Sequence, residues 1–506
     1  MYNHIDRRHW RSFMEDLKQK KKNLIMYPLG TVGRDMVYNL FTNYILTFIL
    51  FTRVLTPAQL GAITAIMVGA RVFDALNDPI MGNIIERTRT RWGKFKPWLL
   101  IGIITTSLVV YAAFNTKLEG WAFVWFFGFI YFMYSITYTM NDIAYWGMVP
   151  ALSSDADSRN QFTSRATLFA GIGSTTASIL IPMLTMGKGA IGGNTATAFG
   201  FVALGICILS PLFISFTLFG VRESRDDMAN PAPRISLKMI IGTIAGNDQL
   251  LWISLVFLIQ QIGNNLLIGG MGSTYIYFEF GYKGGLYSLF TTIGMAATAF
   301  LMIFYPAISR KIHRKRLMGM MLGISVAGYA LMLVFGLILP SSMLKFYIIT
   351  IGYMLSNFGQ YGFYLVMMIS IINTVEYNEL KTGNRSEAII TSLRPFLTKL
   401  STAIVVAMTS ATYLIFGVTT YTNRISDFEN QAARNVITEV QKLQSIDQII
   451  ANVQSSQTTG LLLSMTLIPF ALMLISYILY KKKYKLDEGE YERICRELDK
   501  KRETAR

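Results

Sequence analysis

Four carboxylates lie inside long apolar stretches of this chain, where a charge costs at least ~2.5 kcal/mol unless it faces a cavity or a partner. Asp74 and Asp78 are spaced i, i+4, which puts them on one helical face about 6 Å apart along the axis, with Asn77 beside them. Two carboxylates and an amide oxygen suit a hard cation such as Na⁺ or Li⁺, and one of the carboxylates could instead carry a proton. The other reading of the same spacing is an Arg71–Asp74 ion pair at i, i+3, with Asp78 at the cytoplasmic end of its helix. Tyr138, Asp142 and Trp146 fall at i, i+4, i+8, flanked by Thr139 and Tyr145. A carboxylate that accepts from two hydroxyls, beside an indole face that packs on C–H groups, is the chemistry of a sugar site. An aromatic-belt residue near an interfacial acid gives the same spacing. Arg34 and Asp35 stand near the middle of the first apolar stretch, with Tyr38 and Asn39 one turn on, and Arg394 and Lys399 stand in the eleventh. A lysine at that depth needs an acid, and Asp35 and Asp142 are the candidates.

Those positions require helices that cross a membrane. The chain has 506 residues, 52% hydrophobic and only 15% charged, with a mean hydropathy of +0.39. Soluble proteins carry about a quarter of charged residues, so this is no set of soluble domains. A spanning helix needs ~20 mostly apolar residues. Twelve such runs are expected, at 24–51, 60–85, 97–115, 121–149, 162–186, 196–220, 249–278, 285–308, 317–339, 344–375, 388–417 and 460–480. Two cysteines, Cys207 and Cys495, allow neither a disulfide framework nor a metal-ligand spacing, and the basic first 23 residues lack the apolar core of a cleavable signal.

The net charge of +17 is explained by topology. With an even number of spans both termini share a side, and placing them in the cytoplasm puts 35 of the 47 cations inside, eight outside and four within helices. Nucleic-acid binding is then unnecessary, although the basic tails can meet anionic lipid. The expected location is the plasma membrane, multi-pass, with cytoplasmic N- and C-termini. All three histidines, His4, His9 and His313, fall in cytoplasmic segments, so protons, if they drive the protein, must ride on carboxylates.

The fold class expected is all-α, with twelve spans in two pseudo-symmetric six-helix bundles. A cytoplasmic N-tail (1–23) precedes a first bundle (24–220), and a central loop (221–248) leads to a second bundle (249–480) and a cytoplasmic C-tail (481–506). Basic loops after the second helix of each half, RTRTRWGKFK and SRKIHRKR, mark the repeat and are expected as cytoplasmic latches against acids such as Glu376 and Glu379. Such repeats place a binding site between the halves near mid-membrane. Residues 418–459 form an extracytoplasmic insertion in which Val436, Ile437, Val440, Leu443, Ile446, Ile450 and Val453 recur at helical spacing, predicting an amphipathic helix over the outer mouth.

The segments YPLGTVGRD, ARVFDALNDPIMGNIIERTRTRWGKFKPWLLIG, TYTMNDIAYWGMVP and NTVEYNELKTGNRSEAI together resemble the glycoside-pentoside-hexuronide:cation symporter family. The resemblance runs from about Tyr27 to Tyr480. It implies a major-facilitator fold and uptake of a sugar or glycoside coupled to Na⁺, Li⁺ or H⁺, with no enzymatic activity and no cofactor other than that cation. It places the cation site, and a bound Na⁺ if sodium is used, on Asp74 and Asp78, assisted by Thr139 and Asn77. It places the sugar on Asp35, Asp142, Trp146, Tyr138 and Lys399. Arg34 and Arg394 stand where the family pattern has lysine and glutamine, and extra guanidinium groups would suit an anionic sugar. The family's helix 5 arginine aligns with Thr167, while Arg165 lies two positions earlier. Rival readings are a passive facilitator or a transporter-like sensor, which would keep Asp142 and Trp146 without needing Asp74 and Asp78. An intramembrane prenyltransferase-type enzyme would need a second acidic cluster, and helices 7 to 12 supply none.

Overall fold

The computed structural model describes residues 2–153, 156–223, 237–309, 311–384, 386–453 and 455–504. Of the expected central loop, 224–236 lie outside the described residues, as do Arg310 of the second basic loop and Arg385 of the NTVEYNELKTGNRSEAI segment. No strand occurs among the described residues; a single bridge joins Thr90 to Gly93.

Eighteen helices follow in order. The first half comprises α1 (Tyr2–Thr52), α2 (Pro57–Arg87), α3 (Lys96–Asn115), α4 (Gly120–Leu152), α5 (Ala156–Thr185) and α6 (Thr195–Gly220). A short α7 (Leu237–Gly246) leads to α8 (Asp248–Leu266) and α9 (Gly272–Phe280), then α10 (Gly284–Ser309), α11 (Arg314–Ile338), α12 (Met343–Ile372) and α13 (Thr374–Thr382). The last five are α14 (Glu387–Ile415), α15 (Val418–Ala433), α16 (Glu439–Ala451), α17 (Ser455–Lys483) and α18 (Glu488–Thr504).

Nine helical segments among the described residues are long and apolar enough to cross a membrane. The expected spans outside that set are α1, α2 and the α8–α9 pair. The first two carry Arg34, Asp35, Arg71, Asp74 and Asp78, so the polar groups that matter chemically are what lower their hydropathy. The seventh span is broken: α8 and α9 are joined by a π-helical segment, Leu267–Met271, where Gly270 adopts φ +121°. Only glycine tolerates that backbone, and the Gly269–Gly270 pair accounts for a break that hydropathy does not register. The Tyr413 hydroxyl donates to the freed Gly270 carbonyl at 2.8 Å.

The chain divides into two compact units. One is Met1–Ile49, Leu76–Thr185 and Ala190–Arg234; the other is Leu50–Ala75, Met186–Gly189 and Ile235–Arg506. Within the first, α3 packs on α4 and α6, and α5 on α4 and α6. Within the second, α11 packs on α12 and α17, and α14 on α12 and α17. Counted as spans, these are the same pairings, third with fourth and sixth, fifth with fourth and sixth, so both units repeat one arrangement. Small residues permit the close crossings: a Cβ on Gly33 of α1 would lie 2.5 Å from the Ser210 backbone of α6.

The insertion is two helices rather than one, with Asn435 in the left-handed region at the turn. The second starts on a full capping box at Thr438 and Gln441. Its buried face is Lys442, Ile446 and Ile449, while Val436 and Val440 are exposed. The expected apolar stripe therefore misplaced the packed face by about one position, because Lys442 is drawn inward by Glu429 of α15, both fully buried at 3.4 Å.

Candidate functional site

Arg34 is the hub of the first unit's polar cluster. Its Nη1 donates to Asp142 Oδ1 at 2.8 Å, and its Nε and Nη2 both donate to Asp35 Oδ2, at 3.2 and 3.0 Å. The guanidinium also lies over the rings of Tyr145 and Trp146, 4.8 and 5.3 Å from their centroids. The exposures differ in a way that assigns roles: Arg34 is 3% exposed, Asp35 18% and Asp142 39%. Arg34 is thus a sealed counter-charge, whereas the Asp142 side chain is partly exposed.

The walls are aromatic. Tyr138 stacks on Tyr134 with ring centroids 5.4 Å apart and meets Tyr38 at 5.3 Å. Trp146 is partly exposed and stands edge-on to Tyr145. Tyr27, which the sequence reading passed over, fixes α1 to α4. Its hydroxyl donates to the Tyr145 carbonyl at 2.8 Å, the Tyr145 hydroxyl donates to the Tyr27 carbonyl at 2.6 Å, and the two rings stack at 4.4 Å. The signal was present: Tyr27 and Arg34 are seven residues apart, two turns along one face. Behind this wall Phe95, Leu99, Met148, Phe162 and Ile214 complete an apolar core.

On α2, Arg71 lies 3.5 Å from Asp74, both buried, within the second unit. Asp78 belongs to the first unit and accepts from the Thr139 hydroxyl at 3.3 Å. Asn77 is buried, and its amide nitrogen has no hydrogen-bond partner among the described residues. Among the described residues there is no group of three or more His, Cys, Asp or Glu side chains disposed around a metal. Asp78 and Thr139 thus share a hydrogen bond, while Asp74 pairs with Arg71.

Arg394 and Lys399 lie on α14 in the second unit. Arg394 is exposed with its guanidinium 6.0 Å from the Tyr364 ring centroid, and Lys399 is partly buried. Asp35 and Asp142, the acids expected to answer Lys399, already hold Arg34. Arg165 donates to the Leu24 carbonyl at 3.3 Å, ten residues before Arg34 along α1, and the Thr167 hydroxyl turns back to Thr163. Neither joins the Arg34 cluster.

The basic loops find acids other than Glu376 and Glu379 in the bonds described. Glu223 accepts from the backbone N–H groups of Lys94, Phe95 and Lys96 at 2.9, 3.5 and 3.2 Å, which is an anion at the N-terminus of α3. Lys94 pairs with Glu86. In the second unit Arg314 and Lys315 pair with Glu488 and Asp487.

The sequence pattern of the MFS/sugar transport protein family matches residues 26–488, and the chain belongs to that family. It is 30% identical to the lactose permease of Leuconostoc lactis over 424 residues, 79% of this chain and 64% of that one. It is 27% identical to the raffinose carrier protein of Pediococcus pentosaceus over 415 residues, 78% and 63% of the two chains. The chain thus spans less than two thirds of the length of both relatives. Among solved structures it is similar to a bacterial homolog of the human lysosomal transporter Spinster in an inward-facing, unoccupied conformation. The TM-score is 0.59 at 13% identity, covering 92% of this chain and 96% of the other. The protein is a multi-pass membrane protein with the major-facilitator fold, and the family resemblance read from its signature segments is borne out.

Proposed function

We propose that this chain is a carrier, not an enzyme, that moves a glycoside across the membrane together with Na⁺ or H⁺ by alternating access. The observation that supports it most is the asymmetry of the Arg34 cluster. A salt bridge built for stability alone would bury both partners, whereas here Arg34 is sealed and the Asp142 side chain stays partly exposed, one turn before the partly exposed Trp146. The Asp142 carboxylate accepts two sugar hydroxyls, the indole packs on the ring's C–H face, and Tyr138 closes the side. Asp35 holds Arg34 in place and contributes through it.

Coupling follows from the register of α4. Thr139, which donates to Asp78, precedes Asp142 by three residues and so lies on the same side of the helix one turn away. A cation or proton on Asp78 changes what Thr139 can donate to, and α4 carries that change to Asp142. By linkage the sugar raises cation affinity by the same factor. Asp78 with Thr139 carries the cation, Asp74 joins when it leaves Arg71, and Asn77 supplies a further amide. Arg394 and Lys399 extend the substrate set from α14. The excess of cations in the loops assigned inside supports cytoplasmic termini in the plasma membrane.

The test is uptake of labelled lactose, raffinose, a xyloside and a glucuronide into membrane vesicles, at low and high Na⁺ and with or without a pH gradient. Concentrative uptake of at least one sugar that collapses in Asp142→Ala is expected. Sugar movement that equilibrates without a gradient dependence would make the protein a facilitator, and no movement of any of the four would overturn the glycoside assignment.

A further inference from the structure

The insertion has a physical role that the carrier reading leaves unused. Helix α15 seats on the turn that joins α1 to α2. The Asn423 side chain pairs with both backbone groups of Leu55, accepting from its N–H at 2.9 Å and donating to its carbonyl at 2.7 Å. Three residues on, the Ser426 hydroxyl donates to the Leu50 carbonyl at 3.0 Å. Leu50 lies in the last turn of α1, where carbonyls lack helical partners, and Leu55 lies in the non-helical turn. Three backbone groups with no helical partner are thus served by one face of α15.

The seat itself is rigid. Glu429 and Lys442 pair in full burial between α15 and α16, with Ile425 and Ile446 sealed beside them. Tyr421 of α15 stands edge-on to Phe278 of α9, and its hydroxyl donates to the Asn452 carbonyl. All of this lies within the second unit.

Residues 50–75 belong to that unit, yet the rest of α1 and α2 belongs to the first. The boundaries cut both helices, at Ile49/Leu50 and Ala75/Leu76. The turn held by α15 is therefore continuous with two helices whose remaining parts belong to the first unit. Holding the turn takes three side-chain-to-backbone bonds, one of them buried and two partly buried, beside the exposed Val54 and Thr56.

We propose that α15 is an outer latch: Asn423 and Ser426 hold the α1–α2 turn, and the turn is released when the carrier changes between its two access states. The inference rests on the carrier reading, but its test needs no substrate. Spin labels at Lys117→Cys and Pro340→Cys, exposed positions on the loops after α3 and α11, are placed in full-length protein lacking Cys207 and Cys495. Their separation is measured by pulsed electron resonance in lipid nanodiscs. The population at the longer distance is expected to rise several-fold in the Asn423→Ala, Ser426→Ala double variant. Ser426→Ala alone, which removes one bond and leaves the turn's pairing with Asn423, shifts it less in the same direction and keeps the test decisive if the double variant fails to fold. An unchanged distance distribution in the folded variants overturns the latch. Shifted distances with no sugar uptake refute the glycoside reading alone, and sugar uptake with unshifted distances refutes the latch alone.

Discussion

Arg34 and Asp142 meet at 2.8 Å across the contact of α1 with α4, the arginine sealed and the acid partly open. Asp35 takes the rest of the guanidinium, so one buried cation faces two carboxylates.

Arg34→Gln removes the guanidinium that both acids share, a change that costs less than the roughly 3–5 kcal/mol of a fully buried pair because Asp142 is partly exposed. A lower thermal midpoint in detergent and loss of sugar uptake are expected. Adding Asp142→Asn should recover part of the midpoint and none of the uptake. A double variant no more stable than Arg34→Gln alone would show that charge balance is not what the pair supplies.

Thr139→Ala removes one oxygen from the Asp78 site while leaving the helix intact. A lost ligand of this kind is worth about 1 kcal/mol, so the concentration of the coupling cation, Na⁺ or H⁺, that half-activates uptake should rise by roughly five- to tenfold, and Asp78→Asn should abolish the cation dependence. Unaltered cation activation in both variants would move the cation site elsewhere.

Gly93 combines φ +111° with a Cβ position 2.5 Å from the Glu223 carboxylate. Gly93→Ala is strained by roughly 1–3 kcal/mol on backbone grounds alone and pushes Glu223 off the N-terminus of α3. Faster proteolysis within residues 87–96 is the expected readout, and a protease pattern matching the unsubstituted protein would refute the docking of Glu223 there.

Glu488 is opposed by partial burial, yet the Arg314 N–H and guanidinium hold its carboxyl below the usual range, and Lys315 does the same for Asp487. A carboxyl depressed in the folded state contributes stability above its unfolded value of about 4 and loses it as pH falls through the lower folded value. The midpoint of Glu488→Gln should therefore lie below that of the unsubstituted protein at neutral pH, with the gap closing in acid. A gap that persists below the carboxylate range would make the contribution steric.

How far the sequence reaches is clearest at individual residues. Spacing placed Asp74 with Asp78, and Tyr138, Asp142 and Trp146 on single faces, because a 3.6-residue period is a local property. It left open whether Asp74 binds a cation or Arg71, since both partners lie within one turn; the side chains meet at 3.5 Å. It offered Asp35 and Asp142 as acids for Lys399, and both of them hold Arg34, one and 108 residues away. The break at Gly270 and the hairpin at Asn435 escaped hydropathy because they depend on backbone angles and not on apolarity.

The amino-acid sequence by itself determined that the chain is helical, crosses a membrane, folds in two repeated halves and belongs with sugar transport proteins. Those properties follow from hydropathy, charge distribution and motifs, all additive along the chain. Only the tertiary structure decided that Arg34 bridges two acids, that Tyr27 and Tyr145 lock α1 to α4, and that α15 holds the turn after α1. Each joins residues distant in the chain, and which polar group a buried donor finds is settled by helix packing and not by spacing along the sequence.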